Sequence, residues 1–458
     1  MRTNDFPWPR RAASAAVIAC SLLAAAACGS ADPGPGAAEP STAAAFSPAP
    51  QQAGGEILVW ADATRVPAVE QYQKAHPDVK IKIVTYSGNA NGANDLQTKV
   101  QLFDRTGNGW PDVAFSTTFG DVAWASRNGA QGKQPYAAPV NRGVIEQSVL
   151  DGFAKGALDP CTVDGDVYCV RNDLAQNVLW YNKKLMDDFG YEVPTTWEEY
   201  QALGEKVAKE HPGYLVGTAG DPWAPEVYFW ASQCPASTLT APRKVTVDLG
   251  SDKCTRMAGL LDTLIAAGSI SKDSVFGAGF IKEKADKVLM LPGPSWYGQV
   301  LFASTFKTPK NQIAAAVPLK FSADPTNYTG NVGGGVWFIS SHSKNLKAAA
   351  DLVTWVTTSN DYQATAGTYP AFKQAATAWL AGQKETGYFA EDVAPAFTEA
   401  AGLVWPGWSA TQYSQEAIYA STVVPALNEG KTIASMLETW ETAIKNKASS
   451  LGYTVDSP

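Results

Sequence analysis

An α/β fold is predicted by three observations. Strand-like and helix-like periods alternate from residue 56 to 115, and the alternation resumes after Asn177. The stretch 330–370 then supplies a glycine run, a short apolar strand, a polar turn, an amphipathic helix and a second turn ending in Thr368-Tyr369-Pro370. Strands that alternate with helices favour a parallel sheet.

Taken in order, Glu56-Ile-Leu-Val-Trp60 is a short β-type run. Val66 to His76 follows helical spacing through Val69, Tyr72 and Ala75 and stops before Pro77. Val79 to Tyr86 alternates as a strand, Asp95 to Phe103 returns to helical period, and Pro111-Asp-Val-Ala-Phe115 is a strand opened by proline. After a cysteine-bounded hairpin, Asn177-Val-Leu-Trp-Tyr-Asn-Lys-Lys-Leu runs from strand into turn. In Pro194-Thr-Thr-Trp-Glu-Glu-Tyr, Thr195 or Thr196 is placed to cap a helix, with Glu198 or Glu199 completing a capping box. Cys254 to Ala267 is a helix, Val288 to Leu291 and Ile313 to Pro318 are strands, and further helices begin near Glu391, Ser414 and Thr432.

The 458 residues suggest two or three domains. Arg2, Arg10 and Arg11 precede an apolar run from Ala12 to Ala27, the pattern of a secretion signal too short to be a good membrane span. Residues 1–27 are assigned to it. Residues 28–54 are almost all Ala, Pro, Gly, Ser and Gln, which predicts a disordered tether. Loss of the signal takes the formal charge from −8 to −10, and no basic cluster remains, so nucleic-acid binding lacks its electrostatic footprint.

Four cysteines remain beyond the signal: Cys161, Cys169, Cys234 and Cys254. An even number in an exported chain implies disulfides. Three pairings are open. The Asp164-Gly165 turn places a cysteine near each mouth of a hairpin, so Cys161 with Cys169 and Cys234 with Cys254 is the pairing expected. The spacing is not that of a zinc site, and neither a metal nor a cofactor is expected.

Five segments in one order resemble the family 1 extracellular solute-binding proteins of bacterial sugar ABC transporters, which include maltose-binding protein. They are Leu58-Val-Trp60; Gly109-Trp-Pro-Asp-Val113; Val178-Leu-Trp-Tyr-Asn-Lys-Lys-Leu185; Pro194-Thr-Thr-Trp-Glu-Glu; and Gly333-Gly-Gly-Val-Trp-Phe-Ile-Ser, followed by Ser343-Lys-Asn and a helix. The resemblance implies a type II periplasmic-binding-protein fold, two α/β lobes joined by crossing hinge segments with a ligand cleft between them. It places lobe one at 55–173 and 331–370 and lobe two at 174–330 and 371–458. It also implies a sugar ligand, permease subunits as partners, a monomer, and no enzymatic activity. Separately, Cys28, at the end of the apolar run and before Gly29-Ser30, resembles the acylated cysteine of bacterial lipoproteins. That resemblance implies a lipid anchor on the outer face of the cell membrane, the alternative being simple cleavage at the alanines.

Sugars present flat C–H faces ringed by hydroxyls, so a receptor uses aromatic planes and planar polar groups. The 15 tryptophans exceed what the core requires. Trp60 and Asp62 lie at the C-terminal end of the first strand, where open α/β sheets bind ligands. Thr118 and Asp121 follow the 111–115 strand, Asp173 and Gln176 fall on the first crossing that the resemblance implies, and Trp223 and Glu226 sit in a proline-rich loop. Trp296 and Tyr297 occupy a place where the family often puts a cleft aromatic. Trp405 and Trp408 match a late aromatic position that stacks sugars in maltose-binding relatives, and Gly334 and Gly335 offer backbone N–H groups. Trp355, Trp379 and Trp440 belong to helical core faces. Few cations stand at these positions, which favours a neutral carbohydrate, an oligosaccharide. A secreted glycoside hydrolase is the rival, as is the same fold with a non-sugar solute. His76, His211 and His342 form no recognisable Ser/His/Asp set.

Overall fold

The computed structural model describes residues 46–86, 90–127, 134–241, 243–409 and 411–456. The first of two principal sheets has the strand order Ile81–Tyr86, Ile57–Asp62, Val113–Ser116, Val336–Ile339, Val170–Arg171. Its first three strands are parallel, joined through the helices Val66–Ala75 and Ala90–Thr106. Pro67 opens the first of these helices, where its fixed φ suits helical backbone and its missing N–H costs nothing. The parallel sheet expected from the sequence is therefore only part of the structure. Val336–Ile339 pairs antiparallel with both neighbours. It starts opposite Ser116, at the C-terminal end of a parallel strand, because the chain returns there from the second sheet without a crossover helix.

The second sheet has Asn177–Asn182 at its centre, flanked antiparallel by Met290–Pro294 and Ile313–Ala316. Every residue of the central strand is buried. Asn182 ends it and caps the next helix, Lys183–Phe189, accepting from the Leu185 N–H at 3.1 Å. The capping box anticipated after Pro194 is present: Thr196 caps Trp197–Glu210, and Glu199 reaches back to its backbone. Helices Asp252–Ala267, Gln415–Asn428 and Ile433–Ser450 pack behind the second sheet around the fully buried Trp440. Trp379 is likewise buried, whereas Trp355 is half-buried against Tyr72 and Tyr362.

Both disulfides are the local pairs. Cys161–Cys169 closes the hairpin of Thr162–Val163 and Asp166–Val167, whose turn holds Asp164 and Gly165 at positive φ, and Cys234–Cys254 ties a loop to the helix Asp252–Ala267.

Three segments pass between the sheets side by side. Asp173 bridges Pro370, Gln176 bridges Asn331, the Leu174 N–H reaches the Tyr369 carbonyl at 2.8 Å, and Asn172 N–H reaches the Gly335 carbonyl at 2.8 Å. Gly330 and Gly334 are needed for this packing. A Cβ on Gly330 would lie 1.8 Å from the Glu226 carbonyl oxygen, and one on Gly334, whose φ is +86°, would lie 2.0 Å from the Arg171 guanidinium.

Residues 28–45 of the expected tether lie outside the described residues, as do Cys28 and the signal. Its last part is held down. Gln52 donates from its backbone to the Lys344 carbonyl at 2.9 Å, and Gln51 bonds both Ser343 and Leu346, so the ordered chain begins ahead of residue 55.

Candidate functional site

Between the two sheets the structure encloses a cleft of about 1050 Å³. One wall comes from the first sheet's side, with Arg127 and the loop around Gly156. The other comes from the second, with Trp230, Trp405 and Trp408. The crossing residues Gln176 and Asn331 form its floor.

The aromatic wall is rigid. Trp230 and Trp408 are stacked with centroids 5.1 Å apart and planes 22° apart. Each indole N–H is committed to the backbone, Trp230 to the Trp405 carbonyl and Trp408 to the Cys234 carbonyl, both at 2.6 Å. The Cys234–Cys254 bridge thus backs the residue that holds Trp408. Trp405, half-buried, folds its ring over Gly407, where a Cβ would lie 2.2 Å from the indole. On the floor, the Gln176 amide donates to the Phe397 carbonyl at 3.0 Å, which fixes its orientation, and its carbonyl oxygen has no partner among the described residues. A fixed, unpartnered acceptor in a cleft suits a ligand hydroxyl.

Of the residues singled out in the sequence, Gln176, Trp405 and Trp408 line this cleft. The others are placed elsewhere. Trp60 is almost buried and packs on Tyr86 and Phe103. The Asp62 carboxylate accepts from the Thr64 N–H and hydroxyl and from the Arg65 N–H, closing the turn after the first strand. Thr118 donates its N–H to the Ser116 hydroxyl, which in turn donates to Asp121 at 2.6 Å. Burial raises the Asp121 carboxyl to about 6, against the bonds from Ser116 and Trp124. Asp173 is buried and accepts from Asn172 Nδ2 at 2.9 Å, the Gly335 N–H at 3.0 Å and Arg65 at 3.4 Å. With those bonds it joins two of the three crossings to the turn after the first strand.

Trp223, Trp296 and Tyr297 form a separate aromatic group with Phe276. Trp223 donates to the Tyr297 hydroxyl at 2.7 Å and Trp296 to the Val332 carbonyl at 3.0 Å. Glu226 is buried, and burial, with the Glu416 charge nearby, pushes its carboxyl well above the usual range. Gly334 packs on Arg171 and Gly335 on Phe115.

Trp230 was not among the sequence candidates, because Val227-Tyr-Phe-Trp230 looks like any core run. Arg127, Arg171 and Arg243, which also line the cleft, stand far apart in the chain, and only the facing of the sheets brings them together.

The chain matches the family described as bacterial extracellular solute-binding protein over residues 59–364. It belongs to that family. This solute-binding protein is 27% identical over 164 residues to the arabinooligosaccharide-binding protein of Halalkalibacterium halodurans and 28% identical over 222 residues to the multiple sugar-binding protein of Streptococcus mutans. Those alignments cover 34% and 44% of this chain and 34% and 50% of the relatives, so the chain spans half or less of their length.

Likeness in fold extends over nearly the whole chain. The galacto-N-biose/lacto-N-biose I-binding protein of Bifidobacterium longum, solved with lacto-N-biose, superposes with a TM-score of 0.72 at 18% identity, covering 89% of this chain and all of that one. A transporter-associated binding protein of B. animalis subsp. lactis, solved with β-1,6-galactobiose, gives 0.69 at 17% identity over 88% and 99%. The solute-binding protein has the type II periplasmic-binding-protein fold: two α/β lobes, crossing segments and a cleft between them.

Proposed function

We propose that this protein is the extracellular substrate-binding component of an ABC importer. It holds a carbohydrate, an oligosaccharide with uncharged rings, between its two lobes and delivers it to the membrane permease without chemically altering it. The observation that carries this reading is the stacked and hydrogen-bonded wall of Trp230, Trp405 and Trp408 facing the unpartnered Gln176 carbonyl. Apolar planes beside a fixed acceptor match the C–H face and the hydroxyl rim of a pyranose ring. The cleft volume, about 1050 Å³, lies just above the roughly 300–1,000 Å³ range of small-molecule sites and has room for more than one ring. The relatives named for binding arabinooligosaccharide and multiple sugars support a carbohydrate ligand.

In this reading lobe one comprises 55–173 and 331–370, and lobe two comprises 174–330 and 371–458. Asp173, Gly334 and Gly335 stand on the crossings that close around the ligand, and Trp60, Asp62, Thr118, Asp121, Trp223, Glu226, Trp296 and Tyr297 brace the lobes away from the lining of the cleft. The Gln412 amide, bonded to the Ala123 carbonyl at 3.3 Å, is a contact between the cleft walls that closure uses. Ligand binding then shifts the population toward a closed form that the permease selects. The protein works as a monomer, held to the outer face of the cell membrane by a lipid on Cys28.

A thermal-shift panel of mono- and disaccharides, amino acids and divalent metals tests this. A ligand at one hundred times its Kd stabilises by about 2.7 kcal/mol. Stabilisation by at least one saccharide is expected. Response only to amino acids or metals would overturn the carbohydrate reading, and release of reducing ends from an oligosaccharide would establish a hydrolase.

A further inference from the structure

We propose that Arg127 and Arg243, on facing walls of the cleft, form a subsite for an oxyanion group carried on the saccharide: a carboxylate, or a sulfate or phosphate ester. The inference rests on the carbohydrate reading and adds an acidic substituent at one end of an otherwise uncharged ligand.

Arg127 follows the short helix Val122–Ala125 on the first sheet's side. Arg243 stands between the strands Thr238–Ala241 and Lys244–Thr246 on the second sheet's side, at a φ of +58°. Both line the cleft. One terminal nitrogen of Arg127, Nη2, is buried and has no hydrogen-bond partner among the described residues. A guanidinium nitrogen withdrawn from water with nothing to donate to is costly, and the cost is recovered when a ligand supplies the acceptor. Among the described residues neither arginine is paired with a carboxylate. Among the described residues the Arg243 side chain donates to the Leu451 carbonyl at 3.4 Å, on the exposed side. The segment that follows Arg127, Asn128-Gly-Ala-Gln-Gly-Lys133, holds no acidic side chain.

The two cations feel one another. Burial first, and then the Arg243 charge, lower the Arg127 pKa below its usual value. Tyr453 completes the group: its hydroxyl accepts from the Gln412 N–H at 3.2 Å, which leaves its own hydrogen available to donate. Among the described residues the carboxylates that line the cleft are Asp159 and Asp164, both exposed and paired with neither arginine. In a chain of net charge −8, two like-charged guanidiniums left open across a gap are a mismatch that a bridging oxyanion removes. Because the arginines stand on opposite walls, the same anion would also favour closure.

The test is isothermal titration of the full chain and of its Arg127→Gln, Arg243→Gln and double variants with matched pairs that differ by one acidic group: cellobiose against cellobiouronic acid, and lactose against a monosulfated lactose. Thermal melts in sodium sulfate against sodium chloride at equal ionic strength run alongside. An acidic member binding about tenfold or more tightly than its neutral partner is expected, the worth of one charge-assisted hydrogen bond, with the preference lost in the double variant. Which pair responds separates carboxylate from ester. Equal or tighter binding of every neutral member, or an acid preference that survives in the folded double variant, overturns the proposal. If no saccharide binds, the carbohydrate reading fails and the melts decide the subsite. Sulfate stabilising the wild type but not the double variant supports it; equal shifts overturn it.

Discussion

The hinge around Asp173 and the rim around Arg127 both withdraw charge from water, and they treat it in opposite ways. At the hinge, the Asp173 carboxylate is buried and accepts from Arg65, Asn172 and the Gly335 N–H, while Arg171 donates to the Asp173 carbonyl at 3.1 Å. At the rim, Arg127 has a buried nitrogen with no partner among the described residues and faces a second cation. A charge already matched by the protein stabilises the fold, whereas a charge left unmatched is held for something that arrives. The difference predicts that substitutions at the hinge register in stability and those at the rim in binding.

The largest effect is expected from Asp173→Ala, which removes the buried carboxylate that the half-buried Arg65 pairs with. Loss of one partner of a buried pair costs about 3–5 kcal/mol, to be read from urea denaturation. A loss below about 1 kcal/mol would place Asp173 with ordinary surface carboxylates and break the comparison. Next comes Trp408→Ala. Removing a buried indole stacked on Trp230 is expected to cost about 3 kcal/mol, within the range for large-to-small core changes, and to weaken saccharide binding as well. Loss of binding with full stability would show that Trp408 presents its face to ligand and not to the core.

A smaller, pH-dependent effect separates burial from pairing. Burial raises the Asp221 carboxyl from 3.8 to about 7, despite its bonds from Ser274 and Val275. The folded state therefore holds the proton more tightly than the unfolded chain. Its contribution to stability is full below about pH 4 and is lost as the pH rises through about 7. Stability curves of the wild type and Asp221→Asn from pH 4 to pH 8 should diverge, with the wild type falling relative to the variant. Parallel curves would contradict the assignment. The smallest effect is expected from Arg127→Gln. It removes an unmatched charge, so stability without ligand should be unchanged or higher by up to about 1 kcal/mol. A marked destabilisation would mean that the rim arginine is paired after all.

Much of the fold was legible in the sequence, and the reasons are local. Pro194-Thr-Thr-Trp-Glu-Glu carries its own cap chemistry, and Thr196 with Glu199 forms the box. Ser414 and Thr432, marked as helix starts, cap Gln415–Asn428 and Ile433–Ser450. The Asp164-Gly165 turn indicated how the first cysteine pair would close. What stayed hidden depends on contacts remote in sequence. The antiparallel entry of Val336–Ile339 follows from the hinge topology and leaves no mark in the strand itself. An aromatic at a strand end shows where a ring begins but not which way it faces: Trp405 lines the cleft, whereas Trp60 packs on Phe103. The sequence shows Asp173 as a polar residue on a crossing, but its neighbours Arg65 and Gly335 meet it only in three dimensions. Arg127 and Arg243 could not be joined by any local pattern.

The most direct test of the central claim is small-angle scattering of the purified full chain with and without the saccharide that most raises its melting temperature, repeated for Trp405→Ala. A ligand that stacks on the Trp405 wall and draws the lobes together should reduce the radius of gyration of the wild type, and the variant should require a much higher concentration for the same change. A saccharide that binds with no compaction, or equal affinity in the variant, would contradict binding in this cleft.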